Sequence, residues 1–396
     1  MTKRHVECGY LPLVDSAPLI IAKELQFAAE EGLDLSLVRQ PSWSALRDML
    51  ALGHLDFAHM LSPMPVAMSL GLGGMPAQID ALMVLSVNGT VIGVSAELNA
   101  KMQATGWRNT FDNPRKTATA LFASRSKPLR VGVPFPFSMH RLLLDYWLTR
   151  DPGFHSDHVE IITVPPPQMA AAVQAGTLDI FCVGEPWGSV AVQQSEAVLI
   201  LPGNAIWQFA PEKVLGARHE WVDENPDICR AMIRAVYKAT TWLEQPQNAP
   251  LAIEILTRSQ HLGLPDHAID PALTGDMTLK LGDAPKQIER FVTFYGGAAN
   301  FPWRSQASWI AQYLASLHNL DPKDADTVAR RCFRSDLYRS AIAALGADLP
   351  GASEKVEGAL AQPTAVASTR GEMILGPDTF FDGAVFDNHL LFPPKN

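Results

Sequence analysis

The sequence predicts a two-lobed α/β protein, and three observations carry that expectation. Landmarks repeat at one offset: Gly9 with Gly132, Gly53-x-Leu55-Asp56 with Gly176-x-Leu178-Asp179, and Ser62-Pro63 with Glu185-Pro186, all 123 residues apart (132 − 9, 176 − 53, 186 − 63). Each copy reads strand, polar turn, helix, strand, Pro-containing turn, helix, G-x-L-D, strand and another Pro-containing turn, which is the alternation of parallel βαβ units. The turns of such units gather at the carboxyl ends of the strands, where open α/β sheets take small ligands. A ligand cleft between two lobes follows.

In the first copy, residues 6–10 read as a strand and 17–31 as a helix, with Pro18 in its first turn and Gly32 at its end. Residues 33–38 form the next strand. Ser42 is then a candidate N-cap, which puts Trp43 at the first helical position beside N–H groups that a helix leaves unpaired. The Trp43 indole suits equally a packing role and an N–H donor at the cleft mouth. Residues 56–61 are a third strand, and Ser62-Pro63 opens another helix at the same edge, a hydroxyl cap followed by a proline where no N–H is missed. Strands at 79–87 and 91–95 flank Asn88-Gly89-Thr90, which reads as the crossing into the second lobe, although Asn-Gly alone suggests a hairpin turn.

In the second copy, Ser138 caps a helix over about 140–150. His140 in its first turn stands near the positive end of the helix, which disfavours its proton unless an anion is bound there. The plain alternative is an imidazole bonded to a neighbouring carbonyl. A strand at 178–183 delivers Gly184-Glu185-Pro186-Trp187 to the same edge, where Glu185 serves either as a ligand contact or as a carboxylate capping the next helix. Residues 207–216 read as the return crossing, and Lys213 within it is, by residue type alone, an ordinary solvated charge. The expected lobes are residues 1–88 with 224–396, and residues 89–223. Asn225-Pro226-Asp227 caps a helix with Ile228, Met232, Val236, Ala239 and Leu243 on one face, and helices near 251–258, 305–317 and 323–345 wrap the first lobe. The tail, with Phe380, Phe381, Phe386 and Phe392, is too aromatic to stand free in water.

Composition bounds the function. With 396 residues, 47% of them apolar, the chain builds sizeable cores. A net charge of −9 argues against an extended nucleic-acid groove, so any anion is held by local donors. The basic residues between 97 and 128, Lys101, Arg108, Arg115, Lys116, Arg125 and Lys127, read as a solvated helix face before a partner surface. Cys8, Cys182, Cys229 and Cys332 show neither CxxC nor metal-ligand spacing and read as small core hydrophobes. No Ser-His-Asp motif, G-x-S-x-G, Walker loop or dinucleotide fingerprint is visible, so no catalytic residue, cofactor or metal is expected. The apolar runs are too short to span a bilayer, and the chain enters its first strand without an apolar leader, from which a cytoplasmic location is expected.

The chain resembles the nitrate and bicarbonate solute-binding proteins of ABC transporters, a branch of the type II periplasmic binding fold. The likeness rests on P-S-W-S-A-L-R-D (41–48), A-H-M-L-S-P-M-P (58–65), V-P-P-P-Q-M (164–169), F-C-V-G-E-P-W (181–187), P-E-K-V-L-G (211–216), E-W-V-D-E-N-P (220–226) and F-P-W-R-S (301–305). It implies an α/β fold of two lobes with mixed sheets and an interlobe cleft. It also implies that an oxyanion is gripped by Trp43, His140 and Lys213, with Thr90, Ser62, Pro63, Gly184 and Glu185 lining the same site. Transporter members tend to carry Gln at the position of Thr90, a departure that bears on affinity or anion choice. Nitrate offers only acceptor oxygens and one delocalised charge, so indole, imidazolium and ammonium donors suffice. Bicarbonate brings its own O–H and wants an acceptor or a metal, a role open to Glu185. Unexported members resemble cytoplasmic nitrate and nitrite sensors. By that resemblance the partners are nitrate or nitrite and an RNA-binding antitermination regulator, released when ligand closes the lobes, with no direct nucleic-acid contact and no membrane insertion. The alternative is the substrate-binding component of a nitrate or bicarbonate ABC transporter.

Overall fold

The computed structural model describes residues 3–388. In the first half of the chain the strands are β1 (Arg4–Tyr10), β2 (Leu33–Arg39), β3 (Phe57–Leu61), β4 (Ile79–Asn88) and β5 (Thr90–Val94). They are followed by β6 (Leu129–Val133), β7 (Val159–Thr163), β8 (Ile180–Gly184), β9 (Val198–Pro202) and β10 (Pro211–Arg218). One sheet runs Val292–Thr293, β4, β10, β3, β1, β2, and the other runs β7, β6, β8, β5, β9. Strands β1, β2 and β3 are mutually parallel in the order β2-β1-β3, and β6, β7 and β8 repeat this as β7-β6-β8. Antiparallel β10 and β5 make both sheets mixed.

The sequence repeat persists in space because one packing device is used twice. Gly9 stands opposite Ala58 and Gly132 opposite Phe181, again 123 residues apart (181 − 58). A Cβ on Gly9 would come 2.5 Å from Leu55 Cδ1, and one on Gly132 would come 2.5 Å from Leu178 Cδ1. The leucine of each G-x-L-D therefore lies on the bare face of its strand glycine. The aspartate then turns back to the same strand: Asp56 Oδ2 accepts from Glu7 N, and Asp179 Oδ2 from Arg130 N, both at 2.9 Å. Gly53 and Gly176 begin these turns at φ 83° and 66°, the left-handed region that glycine enters without steric cost.

Asn88 and Gly89, both at positive φ, join β4 to β5. A hairpin would pair these strands with each other; here they enter different sheets, so the tripeptide is a crossing. The return comes between β9 and β10. Because Val214 stands opposite both Met60 and Val84, the chain rejoins the first sheet at Pro211, ahead of the expected boundary at 224. Asn88 ties the two crossings together, its Nδ2 donating to Gln208 O at 2.8 Å and its Oδ1 accepting from Ala210 N at 3.2 Å.

Helix Pro226–Leu243 buries Met232, Ile233, Val236 and Ala239 in the first lobe. Asn225 does not cap it, because its amide donates to Trp221 O at 3.0 Å. The single helix expected over 323–345 is two, Pro322–Cys332 and Ser335–Ala343. Phe333 is buried beside β4 and Arg334 N donates to Ala81 O at 3.0 Å, which diverts the backbone from its helical bonds. The aromatic tail packs as expected. Phe380 stacks on Trp207 with ring centroids 4.8 Å apart, and Asp382 accepts from the Tyr146 hydroxyl at 2.8 Å, on a second-lobe helix. Phe381 and Phe386 pack against the core, while Phe392 lies outside the described residues. Among the described residues no helix is long and apolar enough to cross a membrane.

Candidate functional site

The carboxyl ends of the parallel strands in the two lobes face one another and enclose a buried polar cluster. Ser42 Oγ accepts from Ala45 N at 3.2 Å, so helix Trp43–Ala51 starts as expected, with the indole carried inward. Ser138 Oγ accepts from Arg141 N at 3.1 Å and starts helix Met139–Leu148, with His140 in its first turn. Lys213 projects from β10. It is fully buried, which corrects the reading of it as a solvated charge: Lys213 Nζ lies 2.6 Å from Asp15 Oδ2 and 2.7 Å from Glu212 Oε1. The ammonium also stands 5.6 Å from the centre of the Trp43 ring, and His140 Nδ1 is 3.4 Å from Glu212 Oε1. Trp43, His140 and Lys213 thus meet around one pair of carboxylates. The lobes touch here, with Val14 N donating to Glu185 O at 2.9 Å and Trp187 Nε1 to Pro12 O at 3.1 Å.

Three members of the cluster escape the sequence reading. Asp15 sits in the turn after β1, His59 on β3, and Glu212 beside Lys213. His59 Nε2 is 3.0 Å from Asp15 Oδ1, although the two are not aligned for a hydrogen bond, and its ring lies 5.7 Å from that of Trp43. For His59 and Glu212 the available signal was an imidazole or a pair of opposite charges inside an otherwise apolar strand, as in F-A-H-M-L and P-E-K-V-L.

Burial dominates the electrostatics. It pushes Glu212 up to about 7 despite Lys213, and it pushes Glu185 up to about 7 despite the Ser189 N–H. Burial would also raise Asp15, but Lys213 and His59 outweigh it and hold that carboxyl near 2. Burial, then the charge of Lys213, depresses His140 well below the ordinary imidazole value, and burial likewise depresses His59. Burial disfavours the Lys213 ammonium, yet Asp15 and Glu212 raise its pKa on balance. At neutral pH the cluster therefore holds a firm Asp15–Lys213 ion pair, two neutral imidazoles and a carboxyl poised to titrate. The indole N–H of Trp43 and both ring nitrogens of His59 and of His140 are buried without hydrogen-bond partners. Each such group costs roughly 1–3 kcal/mol, which a polar guest recovers.

The remaining expected residues divide. Gly184 borders the cluster, since a Cβ there would come 3.5 Å from Asp15 Oδ2 and 3.7 Å from His140 Nε2. Glu185 Oε2 accepts from Ser189 N at 3.0 Å, the helix-capping use, while Oε1 has no hydrogen-bond partner. Ser62 does not cap its helix: its hydroxyl donates to Pro211 O at 2.6 Å, because β10 runs alongside the end of β3. Pro63 is buried at the first helical position. The Thr90 hydroxyl is turned against Gly203, where a Cβ would come 2.1 Å from it. A surface groove of about 980 Å³, lined in part by Lys286, Arg290 and Phe381, shares no wall with this cluster.

Two α/β lobes of mixed sheet, joined by two crossings and closed over a polar site, define a periplasmic-binding-protein-like fold. The crystal structure of the periplasmic nitrate-binding protein NrtA from Synechocystis PCC 6803 matches it with a TM-score of 0.83, 29% identity, and coverage of 97% of this chain and 96% of that one. A ligand-binding component of an ABC-type import system from Staphylococcus aureus shares the fold at a TM-score of 0.64 and 19% identity, over 86% of this chain and 99% of that one. The family model of the NMT1-like family matches residues 1–257, and the chain belongs to that family. It is 32% identical to the nitrate/nitrite binding protein NrtA of Synechococcus elongatus over 97% of this chain and 84% of the relative. It is 34% identical to the nitrate import ATP-binding protein NrtC of Synechocystis sp. over 89% of this chain, but spans only 52% of that relative's length.

Proposed function

We propose that this protein binds nitrate or nitrite between its two lobes and serves as the substrate-binding component of an ABC-type import system. The observation that carries the reading is the convergence of three donor side chains, Trp43 and Lys213 from one lobe and His140 from the other, on one buried point. Relatives named as nitrate/nitrite binding proteins support the choice of anion. The import role takes precedence over cytoplasmic sensing and an antitermination regulator, because two of the relatives are named as nitrate import ATP-binding proteins. By the same likeness the partners are a permease and an ATPase. Lobe closure acts as a signal only to the extent that the anion favours the closed form.

Calorimetric titration with nitrate, nitrite and bicarbonate tests the reading. Binding of either nitrogen oxyanion is expected, with Trp43→Phe and His140→Ala each weakening it by at least about tenfold, near 1.4 kcal/mol. Absence of heat with both anions, or unchanged affinity in both variants, rejects the site.

A further inference from the structure

We propose that the anion enters this cluster together with a proton held between His140 and Glu212, so that the ligand is taken up as a monovalent anion and proton pair. The inference rests on the function proposed above and deepens it. Within the cluster the fixed charges are one ammonium, Lys213, and the carboxylates Asp15 and Glu212 that contact it at 2.6 and 2.7 Å. All three side chains are buried. A guest carrying a further negative charge would leave a buried excess of anions, an arrangement that low-dielectric surroundings strongly disfavour. A proton that arrives with the guest offsets the guest's charge, so the cluster keeps the single net negative charge it has with Glu212 ionised.

The groups around the pair leave few other places for it. Asp15, from the turn after β1, keeps its charge because Lys213 and His59 offset its burial. His59, from β3, faces Asp15 at 3.0 Å without an aligned hydrogen bond, and both belong to the first lobe, so a proton there would not bridge the lobes. Glu185, after β8, is bound to the Ser189 N–H, and the Cys182 thiol of β8 is held protonated first by burial and then by the charge of Glu212. His140 and Glu212 face each other at 3.4 Å, one on each lobe, with no hydrogen bond yet formed between them. A proton added here gives either an imidazolium–carboxylate pair or a neutral imidazole beside a neutral acid, and both place an N–H or O–H at the anion's border. Burial already pushes Glu212 up to about 7, and a neighbouring anion raises the proton affinity of both groups further. A divalent oxyanion would need a second proton, so the same balance selects a monovalent guest such as nitrate or nitrite over sulfate.

The sign of the linkage is fixed: the bound state holds more protons than the free state, so affinity rises as pH falls. The test is titration of the full chain with sodium nitrate near pH 8 in two amine buffers of different ionisation enthalpy, with Kd followed over about three pH units. The expected result is a buffer-dependent heat equivalent to nearly one proton taken up, and a Kd that weakens by up to about tenfold per unit as pH rises. Glu212→Gln, which removes one carboxylate charge at constant shape, flattens that slope and reduces the proton count. Nitrate heat that is identical in both buffers, with a flat Kd, overturns the coupling and leaves the binding reading intact. No heat at any pH overturns both. A Glu212→Gln variant with the wild-type slope overturns the placement of the proton.

Discussion

Both lobes lay a leucine on a strand glycine and turn an aspartate back to the same strand, yet they bring different chemistry to the cleft. The first lobe supplies Asp15, Trp43, His59, Glu212 and Lys213, whereas the second supplies His140 and the close backbone at Gly184. Counting 123 residues forward, Asp15 falls on Ser138 and His59 falls on Cys182 (15 + 123, 59 + 123). Ser138 is a helix cap and Cys182 a buried thiol. Repetition thus specifies the scaffold, and the departures from repetition specify the site. One lobe carries a preassembled charge cluster, and the other closes on it with an imidazole.

The sharpest way to break this comparison is to remove the central charge. Lys213→Met leaves Asp15 and Glu212 buried without their cation, and is expected to lower the unfolding free energy by about 3–5 kcal/mol in urea denaturation as well as to abolish nitrate binding. A loss under about 1 kcal/mol would place Lys213 among surface-like pairs and remove the asymmetry between lobes. The two glycine locks come next. Gly9→Ala drives its methyl group into Leu55 and Leu46 at 2.5 and 2.6 Å, whereas Gly132→Ala meets Leu178 at 2.5 Å and the more pliable Met169 sulfur at 3.2 Å. The expected costs are about 2–3 and about 1–2 kcal/mol respectively. Equal losses would mean that the lobes share the lock in strength as well as in form.

The third contrast concerns pH. Glu185 titrates near 7 in the folded chain, raised by burial against the pull of the Ser189 N–H, from an ordinary value of 4.5. A raised folded value contributes stability that is fully present below pH 4.5 and is lost as pH rises through 7. Glu185→Gln keeps the shape of the neutral acid. Its stability relative to wild type is therefore expected to improve by up to about 3 kcal/mol between acidic and mildly alkaline conditions, about 2.5 pH units at about 1.36 kcal/mol each. Parallel urea curves across that range check the sign, and a constant difference sinks it.

Much of this molecule was legible in the chain itself. The 123-residue register, the G-x-L-D turns, the caps at Ser42 and Ser138 and the crossing at Asn88-Gly89 are short-range or periodic features, and backbone sterics and helix capping act on them locally. Helix starts placed Trp43 and His140 at one edge, but it was the family resemblance that singled them out, together with Lys213, as site residues. What the sequence left open depended on neighbours distant along the chain. The fate of Lys213 was set by Asp15, nearly two hundred positions earlier, and that of Ser62 by the carbonyl of Pro211. The charge state of each buried group follows from how much water its neighbours exclude and how close the opposite charge lies. The sequence alone therefore determined the repeated strand–helix units and their facing edges, while the return of residues 211–218 to the first lobe came from strand pairing. Only the tertiary packing decided that a lysine is buried between two carboxylates, because desolvation and ion pairing exist only once those segments meet.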